Sequence, residues 1–148
     1  MKKLLTFIAA FIITASATVF ANDETTAPIM VKISFETKFG KAINVKWEKV
    51  RDAYVASFTN NNDNWQVYFS ADGELLASSR YISKSLLPQK ISTAVKSQFP
   101  GSCVTQVLEV ASETEGTSYY VIVVGYKADL VLHARTNGEI DVVSKTKK

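Results

Sequence analysis

Cys103 and His133 are the residue types from which a nucleophile and its general base are built, and each is the only one of its kind in the chain. A thiolate–imidazole pair also needs a group to orient the imidazole and a turn that presents the thiol. Cys103 opens the strand-like stretch SCVTQVLEV, which contains no glycine-rich elbow. It is expected to be a small residue buried at a strand start, as free cysteines usually are. The carboxylates Glu109, Glu113 and Glu115 could do acid–base work, but no second chemical group is spaced to assist them. Zinc requires three or four ligands, and one histidine with one cysteine is too few. Calcium fares no better: a loop counted from Asn60 places Trp65 sixth and Ala71 twelfth, where glycine and glutamate are required. Trp47 and Trp65 could stack on a ligand, but both fall in phase with apolar neighbours and read as core. The chain is therefore expected to be no enzyme and to hold neither metal nor cofactor.

The elements that would position any site come from two matching stretches. In VKISFETKFGK and KISTAVKSQFPG, the trios Val31, Phe35, Phe39 and Ile91, Val95, Phe99 stand four residues apart. That spacing puts each trio on one face of a helix. The first helix is expected from about Pro28 to Phe39, stopping near Gly40; the second from about Leu87 to Phe99, stopped by Pro100. All four phenylalanine and valine anchors, Phe35, Phe39, Val95 and Phe99, are expected to be buried. After each helix the apolar period becomes two, the signature of half-buried strands. INVKWEKV, AYVASFT, WQVYFS and ELLASSRYI form one meander, with Asn60–Asn64 as a loop and Asp72-Gly73 as a tight turn. CVTQVLEV, YYVIVVGY and DLVLHART follow the same order, and Asn137-Gly138-Glu139 answers Asp72-Gly73-Glu74. The expected class is α+β, two tandem helix-plus-antiparallel-meander modules forming a two-layer sandwich with the helices on one face. The repeats span about 29–82 and 86–143.

The ends of the chain say where it works. Lys2 and Lys3 precede an uncharged apolar run, Leu4 to Phe20, and Val19 and Ala21 are small residues before Asn22. Residues 1–21 are read as a secretory signal peptide and 22–28 as a flexible leader. Beyond the expected cleavage point, 15 of the 17 basic residues face 14 acidic ones, a net charge of +1. This near-balance supplies no electrostatic footprint for nucleic acid. A single cysteine excludes an internal disulfide, so packing alone must hold the fold.

The helix ending at Phe39, the pair Val45 and Trp47, then Tyr54, Ala56 and Phe58, the run Val67, Phe69, Asp72, Gly73, and Leu87-Pro88 and Phe99-Pro100 together form a pattern. That pattern resembles the bacterial beta-lactamase-inhibitor-like, PepSY-like proteins, over residues 29–148. Gly40 where proline is expected, Ser70 in place of an acid, and Ala134 opposite Phe69 in the alignment of halves depart from it. The resemblance implies an exported, non-catalytic protein, periplasmic or secreted, whose relatives by fold bind and block hydrolases or peptidases.

Strand alternation then singles out a surface. If Tyr119, Val121 and Val123 point inward, Tyr120, Ile122 and Val124 point outward, joined by Val131 and His133, with Tyr68 in the matching place of the first half. The corresponding outward residues Val55, Ser57 and Thr59 are expected to form a wet face. An apolar, aromatic outer face is expected to contact a protein partner or a second copy of the chain. Tyr68, Tyr120, Ile122, Val124, Val131 and His133 are the candidate partner-binding residues. A small-ligand or sensing role in the periplasm, or a hydrolase of unrecognised type, are the alternatives. No membrane contact is expected once the signal peptide is removed.

Overall fold

A computed structural model of the chain describes residues 26–148. The expected signal peptide and residues 22–25 of the leader lie outside the described residues. Helix α1 spans Ile29–Phe39 and is followed by strands β1 (Ile43–Val50), β2 (Ala53–Asn60), β3 (Asp63–Phe69) and β4 (Leu75–Ile82). A short 3-10 turn, Lys84–Leu86, leads to helix α2 (Gln89–Gln98) and strands β5 (Cys103–Ser112), β6 (Gly116–Val124), β7 (Ala128–Arg135) and β8 (Ile140–Lys147). Pro28 and Pro88 stand just before the two helices, where a missing N–H costs no helical hydrogen bond.

The expected α+β class is corrected by the strand content and by where the core lies. Among the described residues the protein is mostly β, with 54 % of them in strand and two α-helices. The eight strands make one antiparallel sheet in chain order, and β4 joins β5 through six pairs from Ala77–Ser112 to Ile82–Val107. Two modules in a helix-on-sheet sandwich would have their core between the layers. Here, one of three apolar clusters is built by strands alone: Val55, Tyr68, Ala77, Leu108, Val110 and Tyr120. The twist that accumulates across eight strands draws side chains of one face together, so a sheet this wide can build core without a helix.

The other two clusters do involve the helices. Val31 and Phe35 of α1 pack with Ala56, Phe58, Val67 and Phe69. Ile91 and Val95 of α2 pack with Val107, Val121, Val123 and Leu132. Phe39 and Phe99, at the helix ends, are only half-buried, contrary to expectation: each packs at the margin of its cluster, Phe39 with its ring centre 5.2 Å from that of Phe58. Between these clusters Arg80 bonds Glu109 at 3.0 Å and Asp63 at 3.3 Å, with its guanidinium 5.0 Å from the Trp65 ring centre. Trp65 and Glu109 thus serve a structural ion-pair seam.

Two turns depart from the sequence pattern in ways that matter. Asn60 pairs with Asp63, so the asparagine-rich run is a two-residue hairpin rather than a five-residue loop. Asn61 and Asn62 take φ of 50° and 67°, the left-handed geometry that matches strand twist and that asparagine tolerates. In β1 the register slips between Ile43 and Lys46, with Asn44 at φ 56°. The extra residue of this bulge reverses the alternation, so Ile43 is 60 % exposed while Val45 and Trp47 still face α1. Gly73 (φ 88°) brings the β3–β4 turn under α1, where an added Cβ would lie 2.7 Å from the Met30 carbonyl oxygen.

Candidate docking face

The six candidate residues come from β3, β6 and β7, and sheet pairing determines which meet. Tyr120 lies opposite His133, Ile122 opposite Val131, and Tyr120 also opposite Leu108 across β5. The Tyr120 and His133 rings stack, with centres 4.8 Å apart and planes 28° from parallel. Tyr68 stands between Val55 and Ala77 and joins Tyr120 in the strand-only cluster. Ile122 and Val131 are half-buried and pack against that cluster. Val124 is half-buried further along β6, opposite Cys103 and Asp129.

Exposure divides the set in two. Tyr120 is 1 % exposed and Tyr68 and His133 are each 6 % exposed, so they form a base. Ile122, Val124 and Val131 are the candidate residues that reach the surface above it. Sequence alternation missed Val55, Ala77, Leu108 and Val110, which share this face and are buried with it. Val55 is not on a wet face: it is fully buried. The available signal was the unbroken apolar triplet Tyr54-Val55-Ala56, which alternation alone assigns half to water. Polar residues do continue the face toward β2, where the Tyr68 hydroxyl donates to Gln66 Oε1 at 3.3 Å and Gln66 Nε2 donates to Ser57 Oγ at 3.3 Å.

Burial alters the acid–base behaviour of this base. The Tyr68 and Tyr120 phenols are pushed up to about 12, mainly because burial disfavours the phenolate. His133 is held below its ordinary value by burial, with the nearby Arg135 charge acting in the same direction and Asp141 and Glu115 opposing it. Its Nε2 has no hydrogen-bond partner among the described residues. His133 is therefore neutral at pH 7. A histidine whose folded pKa is depressed stabilises the fold fully above its unfolded value of 6.5, and that contribution is lost as pH falls below it. Urea midpoints should accordingly drop between pH 7 and pH 5, and His133→Gln should flatten that slope; an unchanged slope would show that His133 is not the group responsible.

The register rules out the thiol pair. Cys103 lies opposite Val124 and His133 opposite Tyr120, four residues apart on β6 and so about 13 Å along the strand. Cys103 is exposed, not buried, because it starts β5 at the sheet end rather than in its middle. Among the described residues no group of three His, Cys, Asp or Glu is placed to hold a metal, and no helix is long and apolar enough to cross a membrane. Glu113 and Glu115 lie exposed in the β5–β6 turn.

Comparison with known proteins agrees with this architecture. The fold is shared with a Bacteroides eggerthii protein described as one of the "putative periplasmic proteins", at TM-score 0.72 and 20 % identity, covering 82 % of this chain and 89 % of that one. A DUF2874 family protein of Bacteroides uniformis matches at TM-score 0.72 and 18 % identity, over 82 % and 90 % of the two chains. A BLIP-like protein of Bacteroides fragilis matches at TM-score 0.69 and 19 % identity, over 84 % and 89 %. At such identities the likeness is one of fold. No curated protein matches the sequence. The family model described as "Putative beta-lactamase-inhibitor-like, PepSY-like" matches residues 18–77 and 52–140. Two matches that together span nearly the whole chain, on the sheet just described, place it: this protein belongs to the PepSY-like, beta-lactamase-inhibitor-like family.

Proposed function

We propose that this is an exported, non-catalytic interaction protein that binds, and by occupying its surface blocks, a hydrolase or other protein of the bacterial envelope or its surroundings. The supporting observation is the apolar row Ile122, Val124 and Val131 set on a buried aromatic base. An antiparallel sheet face without a helix over it is ordinarily polar, and an apolar one serves contact with another molecule. A rigid base suits this task, because side chains already fixed by packing lose little freedom when a partner arrives. The family description and the BLIP-like protein of the same fold favour a hydrolase, with a beta-lactamase as the first one to try. The neighbour described as periplasmic and the apolar N-terminal run favour export.

The test is binding of the exported chain to purified serine beta-lactamases by calorimetry, alongside Ile122→Lys. The wild-type chain should bind and slow hydrolysis. Ile122→Lys should lose at least about tenfold in affinity, as removal of a central interface residue does. Ile122 is half-buried, so the substitution should lower the melting temperature by only a few degrees. Equal binding by a folded Ile122→Lys variant would show that this face does not carry the interaction.

A further inference from the structure

On the far side of the molecule, α1 and β1 enclose a groove of about 530 Å3, lined by Lys32, Phe35, Glu36, Phe39, Val45 and Trp47. Its wall is a sheet edge: β1 is the first strand in the order and pairs only with β2 among the described residues. On an antiparallel edge strand, alternate N–H and C=O groups point away from the neighbour and can pair with an added strand. Beyond the Asn44 bulge the register of β1 is regular from Lys46 to Val50. A regular edge strand beside a cleft with aromatic walls and a charged rim, under a helix, is an arrangement by which extended peptides are captured. The backbone supplies affinity and the cleft selects a side chain.

The charges say which peptide. From Ile29 to Val50 there are five lysines (Lys32, Lys38, Lys41, Lys46 and Lys49) against two glutamates (Glu36 and Glu48), a net charge of +3 for this hairpin of helix and strand. Among the described residues no carboxylate lies within salt-bridge distance of Lys32, and Glu36, one turn away, does not pair with it. The other sheet edge, β8, is also basic, with Lys145 and Lys147 against Asp141, so a second copy docking β8 on β1 would bring like charges together. We infer that the α1–β1 groove receives an extended, acidic peptide segment, which adds a strand to β1, lays an aromatic side chain against the half-exposed rings of Phe39 and Trp47, and sets a carboxylate at Lys32. This surface is separate from the sheet face proposed above, so either can fail without the other.

The experiment titrates the exported, isotope-labelled chain with three blocked pentapeptides. These are Asp-Val-Phe-Val-Asp, its lysine counterpart Lys-Val-Phe-Val-Lys, and Asp-Pro-Phe-Pro-Asp, in which proline removes the amide donors of the second and fourth residues. Saturable shifts are expected at the Trp47 indole and the amides of 46–50 with the first peptide, and at least about tenfold weaker binding of the other two. Lys32→Glu, a change at the groove rim, should invert the preference between acidic and basic peptides. Absence of saturable shifts, shifts confined to the Ile122 face, equal affinity for the acidic and basic peptides, or a Lys32→Glu preference unchanged from wild type would each overturn the assignment. So would sedimentation showing a dimer that must dissociate before peptide binds.

Discussion

Phe35→Ala is expected to destabilise the protein by about 3–5 kcal/mol, the range for removing a large aromatic side chain from a packed core. Phe35 is 5 % exposed and sits at the centre of an aromatic group. Its ring centre lies 5.0 Å from that of Phe58, 5.2 Å from Trp47, 5.6 Å from Phe39 and 6.5 Å from Phe69. The contacts with Trp47, Phe58 and Phe69 are edge-on, the geometry in which the positive ring edge meets a negative face. Truncation removes all four contacts and leaves a cavity that the sheet, held by its hydrogen-bond ladder, cannot collapse to fill. A loss of this size should lower the melting temperature by on the order of 10–20 °C in a domain of this length. Phe39→Ala should cost less, because Phe39 is half-buried at the helix end. If the two variants melt together, or Phe35→Ala melts within a few degrees of wild type, α1 is not anchored as described.

Raising the pH from 10 to 12 should destabilise the protein through the strand-only cluster. Tyr68 and Tyr120 have folded pKa values pushed up to about 12 from the ordinary 10.0. A raised folded pKa means that the unfolded chain releases its phenol proton first, so stability is full below pH 10 and falls as pH climbs toward the folded value. Each such phenol is worth roughly 2–3 kcal/mol by the linkage between pKa and free energy. The two also repel each other once charged, which is why Tyr68 contributes to the shift at Tyr120. Urea unfolding at pH 9, 10.5 and 12, with phenolate absorbance followed in parallel, tests this. Of the six tyrosines, Tyr68 and Tyr120 should resist ionisation most strongly, and the double variant Tyr68→Phe, Tyr120→Phe should flatten the alkaline limb. Six tyrosines titrating together near 10, with stability unchanged, would place Tyr68 and Tyr120 in contact with water.

The sequence by itself determined what depends on near neighbours. Four-residue spacing of Val31, Phe35 and Ile91, Val95 places these side chains on one face of a helix wherever the helix ends up. The pairs Asp72-Gly73 and Asn137-Gly138 make turns because glycine alone takes their backbone angles without strain. The family, too, was legible, since its pattern consists of such local elements along most of the chain.

Only the tertiary structure decided what lies across from what. Alternation tells which strand residues share a face, but not what covers that face. Val55 therefore ended opposite to expectation, buried by neighbours from other strands, and a bulge put Ile43 out of phase with Val45 and Trp47. The pairing of β4 with β5 turned two local patterns into one mostly β sheet, and no residue near either strand announces its partner. The same holds for function. Tyr120 joins Tyr68 in one cluster across β4 and β5, and Phe35 meets Trp47 across a chain reversal. The candidate docking face and the proposed groove both consist of contacts between segments whose separation along the chain gives local periodicity nothing to report.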